Sequence, residues 1–154
     1  IFYYNGGYII DQVLYQKGLS NKQIADQFVN IDRALVIADS AEPKSIDDVK
    51  SYGVNIVGAE KGKDSVRYGI QTVQSQRISM TRQSIDLIKE YRNYLWQIDK
   101  DSRILNVPEN GFDNCMDALR YAIMSLIPIQ KRNEMIRVRN FNFYNQQKHV
   151  NPAR

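Results

Sequence analysis

Three aspartates in this 154-residue sequence occupy positions that suit the binding of a divalent cation. Asp39 directly follows the apolar run 35–38, which is typical of a buried strand, and open α/β sheets bind ligands at the carboxyl ends of such strands. Asp113 and Asp117 are four residues apart in a predicted helix, so their carboxylates lie on one face and repel each other. Carboxylate oxygens are preferred ligands of Mg²⁺ and Mn²⁺, and a pair of such ions about 4 Å apart promotes phosphodiester cleavage.

Each aspartate also has an ordinary structural interpretation. Asp39 could only cap the turn that follows it, and Asp113 could simply favour the positive N-terminus of its helix. Asp117 could be solvated or paired with Arg67 or Arg120, although it stands among apolar residues, where a carboxylate requires a partner. A bound cation would turn the repulsion between Asp113 and Asp117 into attraction, which is the reason to favour the metal interpretation.

The composition excludes several other classes of protein. A hydrophobic fraction of 43% and a charged fraction of 25% are typical of one globular domain, and no apolar run approaches the roughly 18 residues of a membrane span. The single Cys115 excludes an internal disulfide, and the lone His149 gives no support to a zinc site or a Ser-His-Asp triad. A net charge of +4 permits an anionic partner. Because the chain begins on Ile rather than Met, in strand-like sequence, we expect a fragment of a longer protein.

The elements that must position the aspartates follow from periodicity and turn chemistry. The apolar runs 34–38 and 54–59 flank a predicted helix from Pro43 to about Tyr52, which makes a βαβ unit with parallel strands. Ser20 and Gln23 form a capping box that opens an earlier helix. Further predicted strands are the antiparallel pair 1–4 and 8–15 and the strands 77–80 and 94–98, the last followed by a turn at 99–102. Further predicted helices are one that contains residues 66–73 and that Asp64 or Ser65 could cap, one that begins at Thr81 or Ser84 and ends at about Tyr91, and one over about 112–127.

Several strings stand in a characteristic order across about residues 8–126: Ala38-Asp39-Ser40-Ala41-Glu42-Pro43-Lys44-Ser45-Ile46, Gly53-Val54, Lys61-Gly62-Lys63-Asp64-Ser65-Val66 with Gly69-Ile70, Tyr94-Leu95-Trp96, and Met116-Asp117-Ala118-Leu119-Arg120-Tyr121-Ala122. In order and spacing they closely resemble the C-terminal nuclease domain of tailed-phage large terminase subunits. The first and last strings together are far more specific than a lone glycine motif.

This resemblance implies an α/β fold, an RNase H-like mixed sheet flanked by helices over residues 1–128, which lacks the first strand of the fold and is followed by a polar, basic tail at 129–154. It implies a metal-dependent endonuclease that cuts concatemeric viral DNA during packaging and uses two Mg²⁺ or Mn²⁺ ions. The expected partners are double-stranded DNA, an ATPase domain in the parent chain, the portal and the small terminase subunit. The expected location is the cytoplasm of the bacterial host, away from any membrane.

The resemblance also assigns roles to particular acids. The family's catalytic acids form three clusters, of which the second maps onto Asp39 and the third onto Asp117. The first cluster has no counterpart, because we expect the chain to begin after the strand that would carry it. Many relatives carry His three residues before the acid of the last helix, where this sequence has Asn114. A carbonyl ligand from Asn114 or a carboxylate from the adjacent Asp113 could take its place.

Basic residues are expected along the same rim of the sheet as Asp39. The topology places four of them there, namely Lys44, Lys61, Lys63 and Arg67. Such side chains neutralise DNA phosphates without reading sequence, and the binding is sensitive to salt. The alternative is that they are solvated side chains of turns and helix ends.

Two rival functions remain open at this point. One is another RNase H-like nuclease, of the resolvase or integrase type, against which the string from Ser40 to Lys44 argues. The other is a non-catalytic DNA-binding or assembly module that docks on the packaging motor or the portal, in which the acids are relics.

Overall fold

The computed structural model of the chain describes residues 1–29, 31, 34–109 and 111–127, so the predicted tail at 129–154 lies outside the described residues. No helix within these ranges is long and apolar enough to cross a membrane. The elements, in chain order, are β1 (Phe2–Tyr4), β2 (Gly7–Ile10), α1 (Asn21–Phe28), β3 (Val36–Ala38), α2 (Pro43–Ser51), β4 (Ile56–Gly58), α3 (Ser65–Gln74), β5 (Ile78–Met80), α4 (Ile85–Asn93), β6 (Trp96–Ile98), β7 (Ile104–Pro108) and α5 (Asn114–Leu126).

The predicted βαβ unit is confirmed. Strands β3 and β4 pair in parallel, with Val36 opposite Ile56, and α2 connects them. Pro43 is the first residue of α2, where its missing N–H leaves no hydrogen bond unmade. Helix α1 covers this unit and buries Ala25 against the residues around Val49, and the predicted capping box at its start is present. The unit therefore brings the chain to Asp39, directly after β3.

The predicted hairpin at the start of the chain is also present, but its second strand is shorter than expected. Strands β1 and β2 pair in antiparallel across a turn whose central residues, Asn5 and Gly6, have positive φ angles of 48° and 74°. Strand β2 ends at Ile10, so the prediction of a strand to residue 15 is wrong. The reason is that Asp11 and Gln12 turn their polar groups toward the chain around Ser84 and bond there instead of continuing the strand.

The described strands are divided into three groups, as a sheet that lacks one of its strands can be. Within the described ranges they form a three-stranded sheet in the order β1-β2-β5, the pair β3-β4 and the pair β6-β7. The pairing is mixed, as expected, because β5 is parallel to β2 while β1 is antiparallel to it. No described strand bridges the β1-β2-β5 sheet and the β3-β4 pair.

The sequence reasoning missed β7 altogether. The Asp99 carboxylate accepts hydrogen bonds from the backbone N–H groups of Asp101 and Arg103 at 2.9 Å and 2.7 Å, which folds the chain back into a hairpin. Strand β6 is also shorter than the predicted 94–98. The signal for β7 was the apolar residues that follow a predicted turn.

Helix α5 packs against three other elements of the fold, namely α3, α4 and β3. Leu119 and Ile123 lie in its buried face, in one core cluster with Ile10 of β2 and Leu87 of α4. The helix is therefore held against the strand that leads to Asp39, and it carries Asp117 on its first turns.

Candidate active site

Asp39 stands immediately after β3 with its carboxylate half exposed. One oxygen, Oδ1, accepts a hydrogen bond from the backbone N–H of Ala41 at 2.8 Å, so the residue does cap the turn that follows it. The same oxygen is paired with the ammonium of Lys61. The other oxygen, Oδ2, is directed toward α5. The structural and functional interpretations of Asp39 are thus compatible, because one carboxylate oxygen serves the turn and the other faces the helix.

Tyr121 joins the two predicted catalytic acids. Its hydroxyl donates a hydrogen bond to Asp39 Oδ2 at 3.1 Å and lies 3.5 Å from Asp117 Oδ2. The ring is buried, and Tyr121 stands one helical turn after Asp117 on α5. Asp39 and Asp117, which are distant in sequence, are therefore brought to the two sides of one hydroxyl group.

Each of these carboxylates has its own cation. Asp117 Oδ1 is 2.7 Å from Nη2 of Arg120, whose side chain is only 5% exposed. Sequence reasoning left open whether Asp117 pairs with Arg67 or Arg120, and the structure selects Arg120. Lys61, on the other side, is paired with Asp39 Oδ1 and lies over the Tyr121 ring, 5.4 Å from its centroid.

These contacts shift the acid–base properties of the site. The Lys61 ammonium lowers the pKa of the Asp39 carboxyl below its usual value, and the bond from Ala41 acts in the same direction against a partial desolvation. In return, the Asp39 carboxylate raises the pKa of Lys61. Both groups are therefore charged at neutral pH, and Asp39 is available as an anionic ligand.

Arg120 is fixed in place by the helix it packs on. Gly69 of α3 faces it so closely that a Cβ at this position would lie 2.6 Å from Cδ and 2.7 Å from Cγ of Arg120. Its Nε is buried with no hydrogen-bond partner among the described residues. Burial acts to lower the pKa of the guanidinium, but the contacts with Asp117 and Tyr121 outweigh it and the pKa is raised.

The other two predicted metal ligands, Asp113 and Asn114, stand at the start of α5. Asp113 is the N-cap residue, but its side chain makes no capping hydrogen bond. Asn114 is exposed, and its side chain lies beside the Tyr15 phenol, where it acts to lower a pKa that Glu90 and burial raise. Among the described residues no group of three or more His, Cys, Asp and Glu side chains gathers in a way that could hold a metal ion. A ligand role for Asp113 or Asn114 therefore stays a prediction.

The predicted DNA-binding residues are distributed along one edge of the β3-β4 pair. Lys44 lies in the first turn of α2, which follows β3. Lys63 lies in the loop between β4 and α3, and Arg67 lies in the first turn of α3. Because β3 and β4 are parallel, both connections leave the same edge. All three side chains are exposed, whereas Lys61 contacts Asp39 directly. Their binding to DNA stays a prediction. Asp64, expected as a possible cap of α3, occupies the N-cap position without a side-chain capping bond.

Two further groups near α5 remain protonated at neutral pH. Burial, assisted by the charge of Glu90, raises the pKa of the Cys115 thiol to about 11. Burial and the charge of Asp117 raise the pKa of Tyr94 to about 12. Cys115 is thus unsuited to act as a thiolate nucleophile, and the anionic groups at the site are its carboxylates.

Sequence reasoning did not single out Tyr121 or Glu90 as site residues. Tyr121 could have been found from its spacing of four residues after Asp117, which places the two on one helical face. Glu90 could not, because its partners belong to another helix and only the packing reveals them.

Comparison with known proteins identifies the same arrangement of elements elsewhere. Residues 5–125 match the family described as the terminase RNase H-like domain. A terminase large subunit from Bacillus phage SPP1 is 37% identical over 123 residues, which cover 75% of this chain and 28% of that protein. The crystal structure of the large terminase nuclease domain from bacteriophage SPP1, with bound Mn, superposes with a TM-score of 0.67 at 33% sequence identity and covers 77% of this chain and 72% of that one. The RNase H-like α/β fold expected from the sequence is confirmed.

Proposed function

This chain belongs to the terminase RNase H-like domain family, and on that premise we propose that it is a divalent-metal-dependent endonuclease domain that cuts concatemeric viral DNA during genome packaging. The observation that carries the proposal is the convergence of Asp39 and Asp117 on the hydroxyl of Tyr121. The matched SPP1 subunit is much longer than this chain, which covers about a quarter of it, so the activity of the whole protein is part of the proposal.

The donor set fits a hard divalent cation. Asp39 and Asp117 would hold it through carboxylate oxygens, the ligands that Mg²⁺ and Mn²⁺ prefer, with Asp113 or Asn114 assisting. Lys61 and Arg120 each pair with one oxygen, Oδ1, of these carboxylates, and the Oδ2 atoms of both are directed toward the Tyr121 hydroxyl, between the two acids. A bound ion, or two in the complete domain, would activate water for attack on a phosphodiester and stabilise the leaving oxygen.

The chain's own residues would prepare the site and hold the substrate. Tyr121 orients Asp39 by donating its hydrogen bond. Arg120 fixes Oδ1 of Asp117, whose Oδ2 lies 3.5 Å from the Tyr121 hydroxyl. Lys61 is 39% exposed and can turn from Asp39 to a DNA phosphate. Lys44, Lys63 and Arg67 would contact neighbouring phosphates without sequence preference.

The proposed setting is the cytoplasm of a bacterial host during assembly of a phage. The substrate would be double-stranded DNA delivered by an ATPase domain of the parent chain. The portal and the small terminase subunit are the expected assembly partners. The SPP1 structure contains Mn, and the carboxylate oxygens of this chain would suit either Mn²⁺ or Mg²⁺.

Plasmid nicking in Mg²⁺ or Mn²⁺ tests the proposal. Because no described strand joins the β1-β2-β5 sheet to the β3-β4 pair, and the family resemblance predicts a further acid on another strand, this chain is compared with a version extended by upstream parent sequence. We expect Asp117→Asn and Asp39→Asn to abolish cutting in whichever of these two versions cuts DNA. Asp47→Asn, which alters an exposed carboxylate of α2, is the matched control and should cut normally.

One observation favours a second function, the non-catalytic DNA-binding or assembly module. Lys61 and Arg120 satisfy the two carboxylates without any metal. If neither form of the protein cuts DNA, and neither binds Mn²⁺ in calorimetry while DNA is still bound, the endonuclease proposal is refuted and this module takes its place. The resolvase or integrase alternative is not favoured by the family match.

A further inference from the structure

A buried carboxylate outside the proposed site holds the helix that carries Asp117. Glu90 of α4 is only 3% exposed. Its Oε2 accepts hydrogen bonds from the backbone N–H of Cys115 at 2.6 Å and from that of Met116 at 3.2 Å. Both donors belong to the first turn of α5. Glu90 therefore caps α5 from a neighbouring helix.

This contact replaces a cap that the helix lacks in its own sequence. The first N–H groups of a helix have no partner within it, and a side chain at the N-cap position normally accepts one of them. Asp113 occupies that position in α5 but makes no such bond. The first turn of α5 is consequently bonded to α4 through Glu90, and its position depends on that residue.

Glu90 is itself held from both directions. Its second oxygen, Oε1, accepts a hydrogen bond from the hydroxyl of Tyr15 at 3.1 Å. The start of α4 is bonded to the chain just after β2, since Gln12 accepts from the N–H of Leu87 at 2.9 Å and donates its own N–H to Ser84 at 2.9 Å. A continuous set of hydrogen bonds thus runs from the end of β2 through α4 to the first turn of α5.

We propose that Glu90 is a positioning residue for the nuclease reaction. By bonding Met116 and Cys115 it fixes the axial position and rotation of α5, and Asp117 is the very next residue along that helix. A small shift of α5 would move Asp117 and Tyr121 together relative to Asp39, which follows β3 and accepts a hydrogen bond from the Tyr121 hydroxyl at 3.1 Å. The inference rests on the proposed function, because it concerns the metal affinity and turnover of the same site.

The test compares three substitutions at Glu90, made in the version of the protein, present or extended, that cuts plasmid DNA. Glu90→Gln has the same shape, and its amide oxygen can still accept both N–H groups. Glu90→Ala removes the acceptor, and Glu90→Asp keeps the charge but shortens the side chain. Ser20→Ala is the matched control, because it removes the cap of α1, which packs chiefly on α2.

The readouts are Mn²⁺ affinity by calorimetry and kcat and KM for plasmid nicking, at a temperature where circular dichroism finds every variant folded. We expect Glu90→Ala and Glu90→Asp to bind Mn²⁺ about 10- to 100-fold more weakly, as is usual when the groups that orient metal ligands are removed. Their kcat should fall while their KM for plasmid DNA stays close to that of wild type. Glu90→Gln should remain close to wild type. Ser20→Ala should lower the melting temperature and leave Mn²⁺ affinity unchanged.

The outcomes separate the inference from the proposal beneath it. Wild-type protein that binds and cuts, together with a Glu90→Ala variant that loses only thermal stability, overturns the positioning role alone. If Glu90→Ala does not fold, Glu90→Asp decides, and wild-type affinity and kcat in that variant overturn the role equally. Wild-type protein that binds no Mn²⁺ refutes the proposed function, and the positioning role is then refuted with it.

Discussion

Replacing Tyr121 with phenylalanine removes the hydroxyl that lies between Asp39 and Asp117 and leaves the buried ring in place. A hydrogen bond to a charged group contributes about 1.5–3 kcal/mol, but the Asp39 side chain is 50% exposed and water replaces part of the loss. The 3.5 Å contact with Asp117 is at the outer limit of a hydrogen bond and adds little. We therefore expect a loss of about 1 kcal/mol in the free energy of unfolding, which corresponds to a fall of roughly 2–4 °C in melting temperature.

The same substitution should slow DNA cleavage. Without the hydroxyl the carboxylates of Asp39 and Asp117 repel each other with no donor between them, and about 1 kcal/mol of lost organisation corresponds to roughly fivefold in rate. Thermal melts by circular dichroism and plasmid nicking measure the two effects. Tyr91→Phe is the control, because Tyr91 is 61% exposed on α4. If Tyr121→Phe melts and cuts like Tyr91→Phe, the hydroxyl does not organise the site.

Two further predictions concern the cations of the site. Asp39 has its pKa lowered chiefly by Lys61, so the stability from this pair is present above the ordinary carboxyl pKa and is lost as the pH falls through the lowered value. Lys61→Met should therefore lower the free energy of unfolding by about 0–1 kcal/mol at neutral pH and leave it unchanged once Asp39 is protonated. Urea unfolding of wild type and variant at both pH values measures this, and a stability difference that persists in acid would contradict it. Gly69→Ala should lower the free energy of unfolding in urea by about 1–2 kcal/mol, because the new methyl group clashes with Arg120 and the gain in helix propensity offsets only part of that strain. Gly62→Ala is the control, because its methyl group meets open space and should leave stability unchanged. Equal stability of these two glycine variants would show that Arg120 moves aside freely.

The parts of the fold that sequence could predict are those fixed by local chemistry. Strand β3 is recognisable because four apolar residues precede Asp39, and α2 because Pro43 suits the first position of a helix. The capping box at Ser20 is a signal contained within four residues. From these features alone Asp39 could be placed at the end of a buried strand beside a helix entrance.

The parts that could not be predicted depend on partners distant in the chain. Strand β2 ends at Ile10 rather than near residue 15, because Gln12 is bonded to α4, and nothing in its neighbours in sequence indicates this. The role of Glu90 likewise follows only from the packing of α4 on α5. The resemblance to terminases named the two acids, but it did not indicate that the hydroxyl of Tyr121 lies between them.

The two cations of the site differ in how easily they can leave. Arg120 is 5% exposed, is pressed against Gly69 and has a buried Nε with no described partner, so separating it from Asp117 would leave its guanidinium buried and unpaired, which costs more than separating an exposed pair. Lys61 is 39% exposed, and exposed ion pairs contribute only about 0–1 kcal/mol. An incoming cation or a DNA phosphate can therefore displace Lys61 from Asp39 at small cost, while Arg120 stays on Asp117. If the proposed metal site is correct, we therefore expect it to open at Asp39, with Asp117 as the ligand whose position stays fixed.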